Sequence, residues 1–350
     1  MKEQTPERKI GFKEVFQDKK YDFLRTDEHL GENIILLALG GSHAYGTNVE
    51  TSDIDLRGVV TNSAEEILLG NCFEHFVDPA TDTTVYAFNK MIRLLIACNP
   101  ATIEILGCKP EHYLYVGDAG KLLLENKKIF LSRRCCNTFM GYAAAQMRKL
   151  DNKTARKAGQ AGTEKYVLRS IENARCEFKQ HYFPTGEDSI KLYIDDAINP
   201  EYEKEIFMDI SLKKYPLRDY AGMWDEMKTI ASNYDRSSKK VTQFGSREKI
   251  GKHMMHLIRL YLMCIDILEK EEIITYRADE HDLLMKIRNC EFLDENDQPI
   301  PEFYEMVHEY DARFEHAKQN TSLPSSPNLK EIQELQIAVN EDVIRRKMEK

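Results

Sequence analysis

The sequence predicts an α/β (α+β) protein in which a small mixed-sheet domain is followed by a mostly helical domain. Residues 34–39 are an apolar run with the length and branching of a buried strand, and residues 82–88 are rich in β-branched and aromatic side chains. Apolar residues recur with helical spacing further on, in residues 139–150, 166–178 and 253–268. With 350 residues, the chain is long enough for more than one hydrophobic core.

The predicted domain boundaries lie near residues 120 and 316. We assign the sheet domain, which carries the candidate catalytic residues, to residues 1–120. A helical domain covering the cleft of the first is assigned to residues 121–316. Residues 317–350 are expected to form a linker and a C-terminal amphipathic helix.

The linker is predicted from residues 319–328, whose Ser, Pro and Asn content is typical of a flexible or polyproline-II-like segment. The helix after it has an apolar stripe formed by Ile332, Leu335, Val339 and Val343. We expect this stripe to pack on the parent domain. The alternative is a contact with a partner chain or a second copy, which would make the protein a homo-oligomer.

Composition excludes several classes of protein. The 49 Lys and Arg residues against 58 Asp and Glu residues give a net charge of −9, which argues against coating nucleic acid by bulk electrostatics. No apolar run approaches the ~20 residues needed to cross a bilayer, so no membrane partner is expected. The eight cysteines have no zinc-site spacing and read as reduced residues of a cytoplasmic protein.

A glycine-rich turn follows the first predicted strand. Gly40 and Gly41 break the strand before a helix starts, and Ser42 stands where an N-cap is expected. Backbone N–H groups and the positive end of a helix dipole would then face one point. We therefore take Gly40, Gly41 and Ser42 as candidate phosphate-binding residues.

Two carboxylates follow this turn. Strand alternation is expected to place Asp53, Asp55 and Arg57 on one face of a strand. Like charges this close repel, whereas hard oxygen ligands at this spacing suit Mg²⁺ beside a triphosphate. An isolated Asp-x-Asp is more often a solvent-facing acidic edge, but the upstream Gly-Gly-Ser turn favours a metal site.

These segments resemble a known family. Residues 40–46 (Gly-Gly-Ser-His-Ala-Tyr-Gly) and 52–58 (Ser-Asp-Ile-Asp-Leu-Arg-Gly) are similar to the signature of the polymerase-β-like nucleotidyltransferase superfamily. The similarity is to its bacterial and phage branch of predicted nucleotidyltransferases proposed to act in RNA repair. Residues 90–106, Gly141 with Tyr142, and the helix at 252–260 also resemble this branch.

The resemblance implies a third carboxylate on a neighbouring strand. Asp82, which opens the predicted strand 82–88, is our candidate, with Asp78 and Glu74 as alternatives. It also implies that Asp53, Asp55 and Asp82 bind Mg²⁺ or Mn²⁺ in a two-metal arrangement. Arg57 is expected to bind phosphate or to balance the carboxylates.

Basic residues elsewhere are further candidates for nucleotide or RNA binding. Lys252, His256 and Arg259 share one helical face, where a cation would meet triphosphate oxygens. Residues 147–179 carry nine basic and four acidic side chains, which suits either an RNA surface or an ordinary exposed helix. His43 is equally suited to contact phosphate and to cap its own helix.

The implied activity is transfer of NMP from an NTP to an acceptor hydroxyl, with release of pyrophosphate. An RNA end is the expected acceptor, in keeping with RNA repair. The same chemistry on a protein side chain or a small molecule is one alternative. A non-catalytic, antitoxin-like regulator that only binds a nucleotide is the other.

Overall fold

The computed structural model describes residues 15, 17–70, 73–157, 190–196, 198, 204–210, 224 and 247–349. The chain divides into two compact units. The first contains Met1–Ala145, Met255–Arg288 and Glu302–Lys350, and the second contains Gln146–Met254 and Asn289–Pro301. A mixed sheet in the N-terminal region precedes a mostly helical part, which confirms the predicted fold class. The domain boundaries at residues 120 and 316 stay predictions.

The sheet of the first unit has five strands. They are β1 (Ile34–Leu39), β2 (Leu56–Val60), β3 (His75–Asp78), β4 (Thr83–Ala87) and β5 (Tyr113–Val116), in the spatial order β3-β4-β2-β1-β5. β1 is antiparallel to β2 and β5, and β3 is antiparallel to β4. Only β2 and β4 run parallel within this sheet, so the residues that precede these two strands meet at one edge. All of β1 is buried, as predicted.

Helices surround and follow the sheet. Their bounds are α1 (Phe23–Thr26), α2 (Gly41–Tyr45), α3 (Ala64–Leu69), α4 (Phe88–Ile96), α5 (Pro100–Ile103), α6 (Asp118–Glu125), α7 (Arg134–Lys157), α8 (Arg247–Lys270), α9 (His281–Arg288), α10 (Pro301–Asn320) and α11 (Leu329–Met348). Short 3₁₀ helices lie at Lys19–Tyr21, Gly31–Asn33, Glu104–Gly107, Pro110–His112 and Lys127–Phe130. None of the helices in the described ranges combines the length and apolarity that a membrane crossing requires.

Local sequence explains where two of these helices begin. Ser63 and Glu66 form a reciprocal capping box at the start of α3, with hydrogen bonds of 3.1 and 3.0 Å. Asn99 caps α5 through its side-chain oxygen, and Pro100 occupies the first helical position, where its missing N–H costs nothing. The cap fixes the orientation of the Asn99 amide.

The core of the first unit joins the sheet to the N-terminal segment. Side chains from β1 and β2 pack with buried residues of the preceding helical turns. Among the fully or nearly fully buried members are Tyr21, Leu24, Leu30, Leu37, Leu56 and Val60. Burial at about 25 cal/mol per Å² of apolar surface makes this cluster the main support of β2 and of the residues just before it.

The second unit contains a hairpin that the sequence analysis did not predict. Its strands are β6 (Ile190–Asp196) and β7 (Lys204–Ile210), which pair in antiparallel register. Of the predicted helical segments, 139–150 lies in α7 and 253–268 lies in α8, as expected. The segment 166–178 lies outside the described residues.

The C-terminal segment differs from the prediction of a flexible linker. Gln319 and Asn320 belong to α10, and the following turn is held by Arg133, which donates hydrogen bonds to the carbonyls of Thr321 (2.9 Å) and Leu323 (3.0 Å). The predicted linker is therefore fixed, because the guanidinium of Arg133 supplies donors to its backbone.

Helix α11 packs within the first unit against α3, α4 and α6. Its residues Ile332, Leu335 and Val339 are buried, and Gln336 donates a hydrogen bond of 2.7 Å to Asn89 of α4. Packing on the parent unit is thus the observed role of the predicted stripe.

Candidate active site

The glycine-rich turn connects β1 to α2. Gly40 is the N-cap of α2, and its backbone N–H donates a 2.8 Å hydrogen bond to the carbonyl of Asp55. Gly41 has a φ of +51°, a left-handed conformation that favours glycine. The prediction that Ser42 is the N-cap is wrong, because the N-cap is Gly40 and Ser42 is the second residue of the helix. Its nucleotide-binding role stays a prediction.

Both glycines lie against side chains of the downstream motif. A β-carbon added to Gly41 would overlap Oδ2 of Asp55 and stand 2.8 Å from its Cγ. A β-carbon on Gly40 would stand 2.8 Å from Cγ of Arg57. Real β-carbons essentially never approach a heavy atom this closely, so the two motifs are in direct contact and require glycine at both positions.

Asp53 and Asp55 precede the strand instead of lying on it. β2 begins at Leu56, so the prediction of a strand over both carboxylates is wrong. The backbone there is held by a different contact, a 3.0 Å hydrogen bond from the hydroxyl of Tyr21 to the carbonyl of Ile54. Asp53 is exposed, and Asp55 is partly buried.

Tyr21 is a site residue that the sequence analysis missed. Its side chain is buried, and burial is the largest cause of a pKa above the ordinary value. The negative charges of Asp18, Asp55 and Asp53 raise the pKa of Tyr21 further. The phenol is thus kept protonated beside the carboxylates and serves as a hydrogen-bond donor.

Asp82 and the Asp-x-Asp segment precede two neighbouring parallel strands. The pairing of β2 with β4 starts at Arg57↔Thr84, and Asp55 and Asp82 each stand two residues before that pair. Asp82 precedes β4 in a turn, with a φ of +45°, so it does not open the strand as predicted. Its side chain is 68% exposed.

Arg57 connects the two parallel strands. Its Nη2 lies 3.3 Å from Oδ1 of Asp82, and its Nη1 donates to the Asp82 carbonyl. Arg57 therefore balances a carboxylate in this structure, which was one of its two predicted roles. Its contact with phosphate stays a prediction.

The alternative third carboxylates have other partners. Oδ2 of Asp78 accepts hydrogen bonds from the N–H (3.0 Å) and hydroxyl (2.7 Å) of Thr81. Glu74 pairs with Lys90 at 2.8 Å and with Arg93 at 2.6 Å. Both contacts stabilise the β3–β4 hairpin and its neighbour α4, which leaves Asp82 as the candidate beside β2.

The donor chemistry of the site suits a hard divalent cation. Asp53 and Asp55 supply carboxylate oxygens one residue apart, and the absence of a side chain on Gly41 makes the space that the Asp55 carboxylate occupies. Among the residues that the structure describes, no group of three His, Cys, Asp or Glu side chains is close enough to hold an ion. The three predicted ligands precede two neighbouring parallel strands, but they do not converge on one point.

Cationic side chains from α8 and α9 contact α2 and the segment that follows it. The guanidinium carbon of Arg259 lies 3.2 Å from the ring centroid of Tyr45, in α2. Arg288 donates to the carbonyl of Thr47 and, at 3.2 Å, to Oγ of Ser52. Burial, followed by the positive charge of Arg259, lowers the pKa of Arg288. The sequence analysis missed Arg288.

Tyr45 also connects the turn to the segment after α5. Its hydroxyl donates a 2.7 Å hydrogen bond to Oε2 of Glu104, and its carbonyl accepts from the N–H of Arg277 at 3.2 Å. The ring of Tyr276 fills the space beside Gly46, where a β-carbon would stand 2.9 Å from Cζ. Helix α2 is therefore fixed at its C-terminal end.

The predicted basic face of α8 is divided by burial. His256 is partly buried and Arg259 is buried, and both belong to the first unit. Lys252 is exposed and belongs to the second unit. In the basic stretch 147–179, the residues after Lys157 lie outside the described residues.

A comparison of the sequence with protein-family models identifies the family of this chain. Residues 16–338 match the model of the RNA repair pathway DNA polymerase beta family. The chain belongs to this family. This assignment agrees with the resemblance to the polymerase-β-like nucleotidyltransferase superfamily, and to its RNA-repair branch, that the motifs predicted.

The chain is also similar to a curated phage protein. An uncharacterized 38.9 kDa protein of Enterobacteria phage T4, from the nrdC-mobD intergenic region, is 26% identical over 165 residues. The match covers 43% of this chain and 46% of the phage protein, so the chain spans less than half of that relative's length. No solved structure matches the chain significantly.

Proposed function

We propose that this protein transfers NMP from an NTP to a hydroxyl group at an RNA end, with release of pyrophosphate and with Mg²⁺ or Mn²⁺ as cofactor. The observation that carries the proposal is the contact between Gly41 and the carboxylate of Asp55. It brings a candidate phosphate-binding turn and a candidate metal ligand to the same point. The family supports RNA repair as the context.

In the proposed reaction, the acceptor oxygen forms a bond to the α-phosphorus as the bond from that phosphorus to the pyrophosphate oxygen breaks. The proton of the acceptor hydroxyl passes to a base, for which Asp82 or a water molecule is suited. Positioning and charge neutralisation account for most of the rate in phosphoryl-type transfers. The protein's task is therefore to fix the triphosphate and the acceptor in line.

The residues of the turn have separate proposed roles. Gly40, Gly41 and Ser42 hold the β- and γ-phosphates. Asp53 and Asp55, with Asp82, would hold the metal ions, which would neutralise triphosphate charge and lower the pKa of the acceptor hydroxyl.

Cationic groups complete the proposed site. Arg259 supplies positive charge from α8, His256 supplies a ring nitrogen for hydrogen bonding, and Arg57 pairs with Asp82 beside β2. Lys252, in the part of α8 that belongs to the second unit, stays a sequence-based candidate for the triphosphate tail.

The proposal is tested with purified protein, each α-³²P-labelled NTP, Mg²⁺ or Mn²⁺, and separate pools of RNA, protein and metabolites. We expect label in RNA, and we expect EDTA to abolish it. Label in protein or in a small molecule instead would exclude the RNA-end acceptor. Nucleotide binding without transfer to any pool would favour a regulator.

Two variants and a matched control locate the chemistry. Asp53→Asn and Asp55→Asn each remove one negative charge from the candidate metal site and are expected to reduce transfer by at least ~100-fold. Asp118→Asn removes a charge from an exposed position on α6, where the carboxylate pairs with Lys121 at 3.3 Å. It should retain wild-type transfer. Equal loss in all three variants would place the effect in folding and not in the site.

A further inference from the structure

We propose that Tyr142, together with Gly141 and Asn99, forms a nucleobase-binding ledge in the first unit. The proposal rests on the proposed function, because a nucleobase is present on both the NTP and the RNA acceptor. It adds to that function a surface that stacks on a base, whereas the residues discussed so far act on phosphate and metal.

The ring of Tyr142 is exposed but held in place. Its side chain is 43% exposed, and its hydroxyl oxygen accepts a 3.1 Å hydrogen bond from Nδ2 of Asn99. The other end of the Asn99 amide accepts from the N–H of Ala101 at 3.0 Å, so the amide orientation is fixed. A rigid aromatic ring with one open face is the usual platform for stacking a base.

The same hydrogen bond determines what the Tyr142 hydroxyl offers a ligand. Because Asn99 donates, the Tyr142 oxygen acts as an acceptor, and its own O–H remains a donor. Within the described part of the chain, no group accepts a hydrogen bond from this O–H. The ledge therefore combines a stacking face with one donor, which suits the polar edge of a base or a ribose oxygen.

Gly141, the residue before Tyr142, gives further support to the proposed ledge. It lies within α7, where glycine destabilises a helix relative to alanine. Its φ is not in the left-handed region, and a β-carbon built on it would meet nothing within 4 Å. Neither backbone conformation nor packing within the described structure requires glycine here. The missing side chain leaves the helix surface beside Tyr142 open to a flat ligand.

The helix is fixed to the segment that carries Asn99. The hydroxyl of Thr138, one turn before Tyr142, donates a 2.9 Å hydrogen bond to the carbonyl of Cys98. Thr138 and Tyr142 thus contact neighbouring residues of the same loop. The ledge is therefore a fixed part of the first unit.

The ledge is linked to the candidate active site through short connections. Asn99 begins α5, and Glu104, which accepts the hydroxyl of Tyr45 in α2, follows directly after that helix. Four helical residues span about 6 Å. Burial is the main cause that raises the pKa of Tyr86 on β4. Arg57 lowers this pKa, and Glu104 and Tyr142 raise it by smaller amounts. Tyr86 thus lies within electrostatic reach of both Glu104 and Tyr142.

The test uses calorimetric binding to the full-length protein with Mg²⁺. The probes are the four NTPs, inorganic tripolyphosphate and a single-stranded RNA oligonucleotide of mixed sequence. Tyr142→Ala should weaken binding of the base-bearing probe between about 5-fold and about 150-fold, the usual range for one stacked base. Tripolyphosphate, which has no base, should bind the variant and the wild type equally. Tyr142→Phe keeps the ring and should retain most of the affinity.

The probes also identify the source of the base. Weaker NTP binding assigns the ledge to the incoming nucleotide, and weaker RNA binding with unchanged NTP binding assigns it to the acceptor. Unchanged affinity for both, or an equal loss for tripolyphosphate, overturns the proposal. Tyr115→Ala is the matched control, because Tyr115 is 40% exposed on the edge strand β5. It should leave every affinity unchanged.

Gly141→Ala gives a readout that a structural role would not produce. The variant should melt about 1–4 °C higher, because alanine favours the helix and its β-carbon meets open space. It should nevertheless bind the base-bearing probe at least about 5-fold more weakly. Higher stability with unchanged affinity overturns the proposal. A wild-type protein that binds tripolyphosphate and NTPs equally well refutes the ledge for nucleotides, whereas one that binds no nucleotide refutes the proposed function as well.

Discussion

The carboxylate of Asp55 lies against the α-carbon of Gly41, with no room for a β-carbon between them. The same backbone segments are joined by the hydrogen bond from the Gly40 N–H to the Asp55 carbonyl. The two halves of the motif are therefore one steric unit. Glycine is needed here both for the left-handed turn and for the position of the carboxylate.

The first prediction concerns Gly41→Ala. The added β-carbon must displace the Asp55 carboxylate, and a misplacement of about 1 Å at a reacting site is enough to reduce turnover about 100-fold. Gly70→Ala is the matched control, because Gly70 has a similar positive φ of +70° but nothing within 4 Å of the β-carbon position. Both variants should lose about 1–2 kcal/mol of stability from the left-handed conformation. Only Gly41→Ala should lose transfer activity, and equal activity in the two variants would contradict the steric argument.

Residue patterns within short segments of the sequence predicted several of the helices and strands correctly. The apolar run of β1, the break at Gly40 and the periodic helices α7 and α8 carry their signals within a few residues, and the structure contains all of them. The predicted strand began too early, because it included Asp53 and Asp55, whereas β2 begins at Leu56. Alternation of residue types does not distinguish a strand from an extended segment that lacks a pairing partner, and the ladder between β1 and β2 ends at Leu39↔Leu56.

The supporting residues of the site could not be predicted in this way. Tyr21 binds the carbonyl of Ile54 across 33 positions of sequence, and Arg288 binds Ser52 across 236 positions. No spacing rule in one sequence links groups so far apart. An Arg in the last turn of a helix also has an ordinary explanation, since its charge interacts favourably with the helix dipole.

The second prediction concerns Arg288, which holds the connection between α2 and Asp53 through Thr47 and Ser52. Arg288→Ala should lower kcat about 10- to 100-fold, because the carboxylates lose a fixed neighbour while the phosphate-binding turn is retained. Arg288→Lys, which keeps the charge but has only one nitrogen, should recover part of the rate. Steady-state kinetics with the RNA acceptor measures both.

Ser52→Ala separates the two hydrogen bonds of Arg288. It removes one acceptor and leaves the Thr47 carbonyl in place. In a double-mutant cycle with Arg288→Ala, the two effects on kcat should be less than additive. Strict additivity would mean that the two residues act independently and would refute the positioning role.

The third prediction concerns the buried pair of Arg277 and Asp266, whose side chains are 1% and 6% exposed. Arg277→Met leaves the Asp266 carboxylate buried with only Lys270, at 2.8 Å, as partner. Removing one partner of a buried pair costs about 3–5 kcal/mol. Urea unfolding should show a loss near the lower end of this range.

A surface pair provides the control for this stability measurement. Arg313 pairs with Glu269 at 2.6 Å, but its side chain is 47% exposed. Arg313→Met should therefore cost about 1 kcal/mol or less. Similar losses in the Arg277 and Arg313 variants would show that burial does not govern the strength of these pairs.

The last prediction concerns Tyr45 and alkaline pH. Burial, and then the negative charge of Glu104, raise the pKa of Tyr45 above its ordinary value of 10.0, although Arg259 acts in the opposite direction. Below about pH 10 the phenol is protonated in both the folded and the unfolded chain, so its stabilising contribution is fully present. Above about pH 10 the unfolded chain loses this proton first, and the contribution falls as pH rises by up to about 1.4 kcal/mol per pH unit.

Tyr45→Phe removes this titration together with the hydrogen bond to Glu104. At about pH 8 the variant should be less stable than the wild type by about 1.5–3 kcal/mol, the usual value of a hydrogen bond to a charged group. Between about pH 10 and about pH 11 the free energy of unfolding of the variant should fall less steeply, so the two curves should converge. Denaturant unfolding at each pH gives both curves. If they stay parallel through this range, Tyr45 does not titrate differently in the two states, and its phenol is not held protonated by burial beside Glu104.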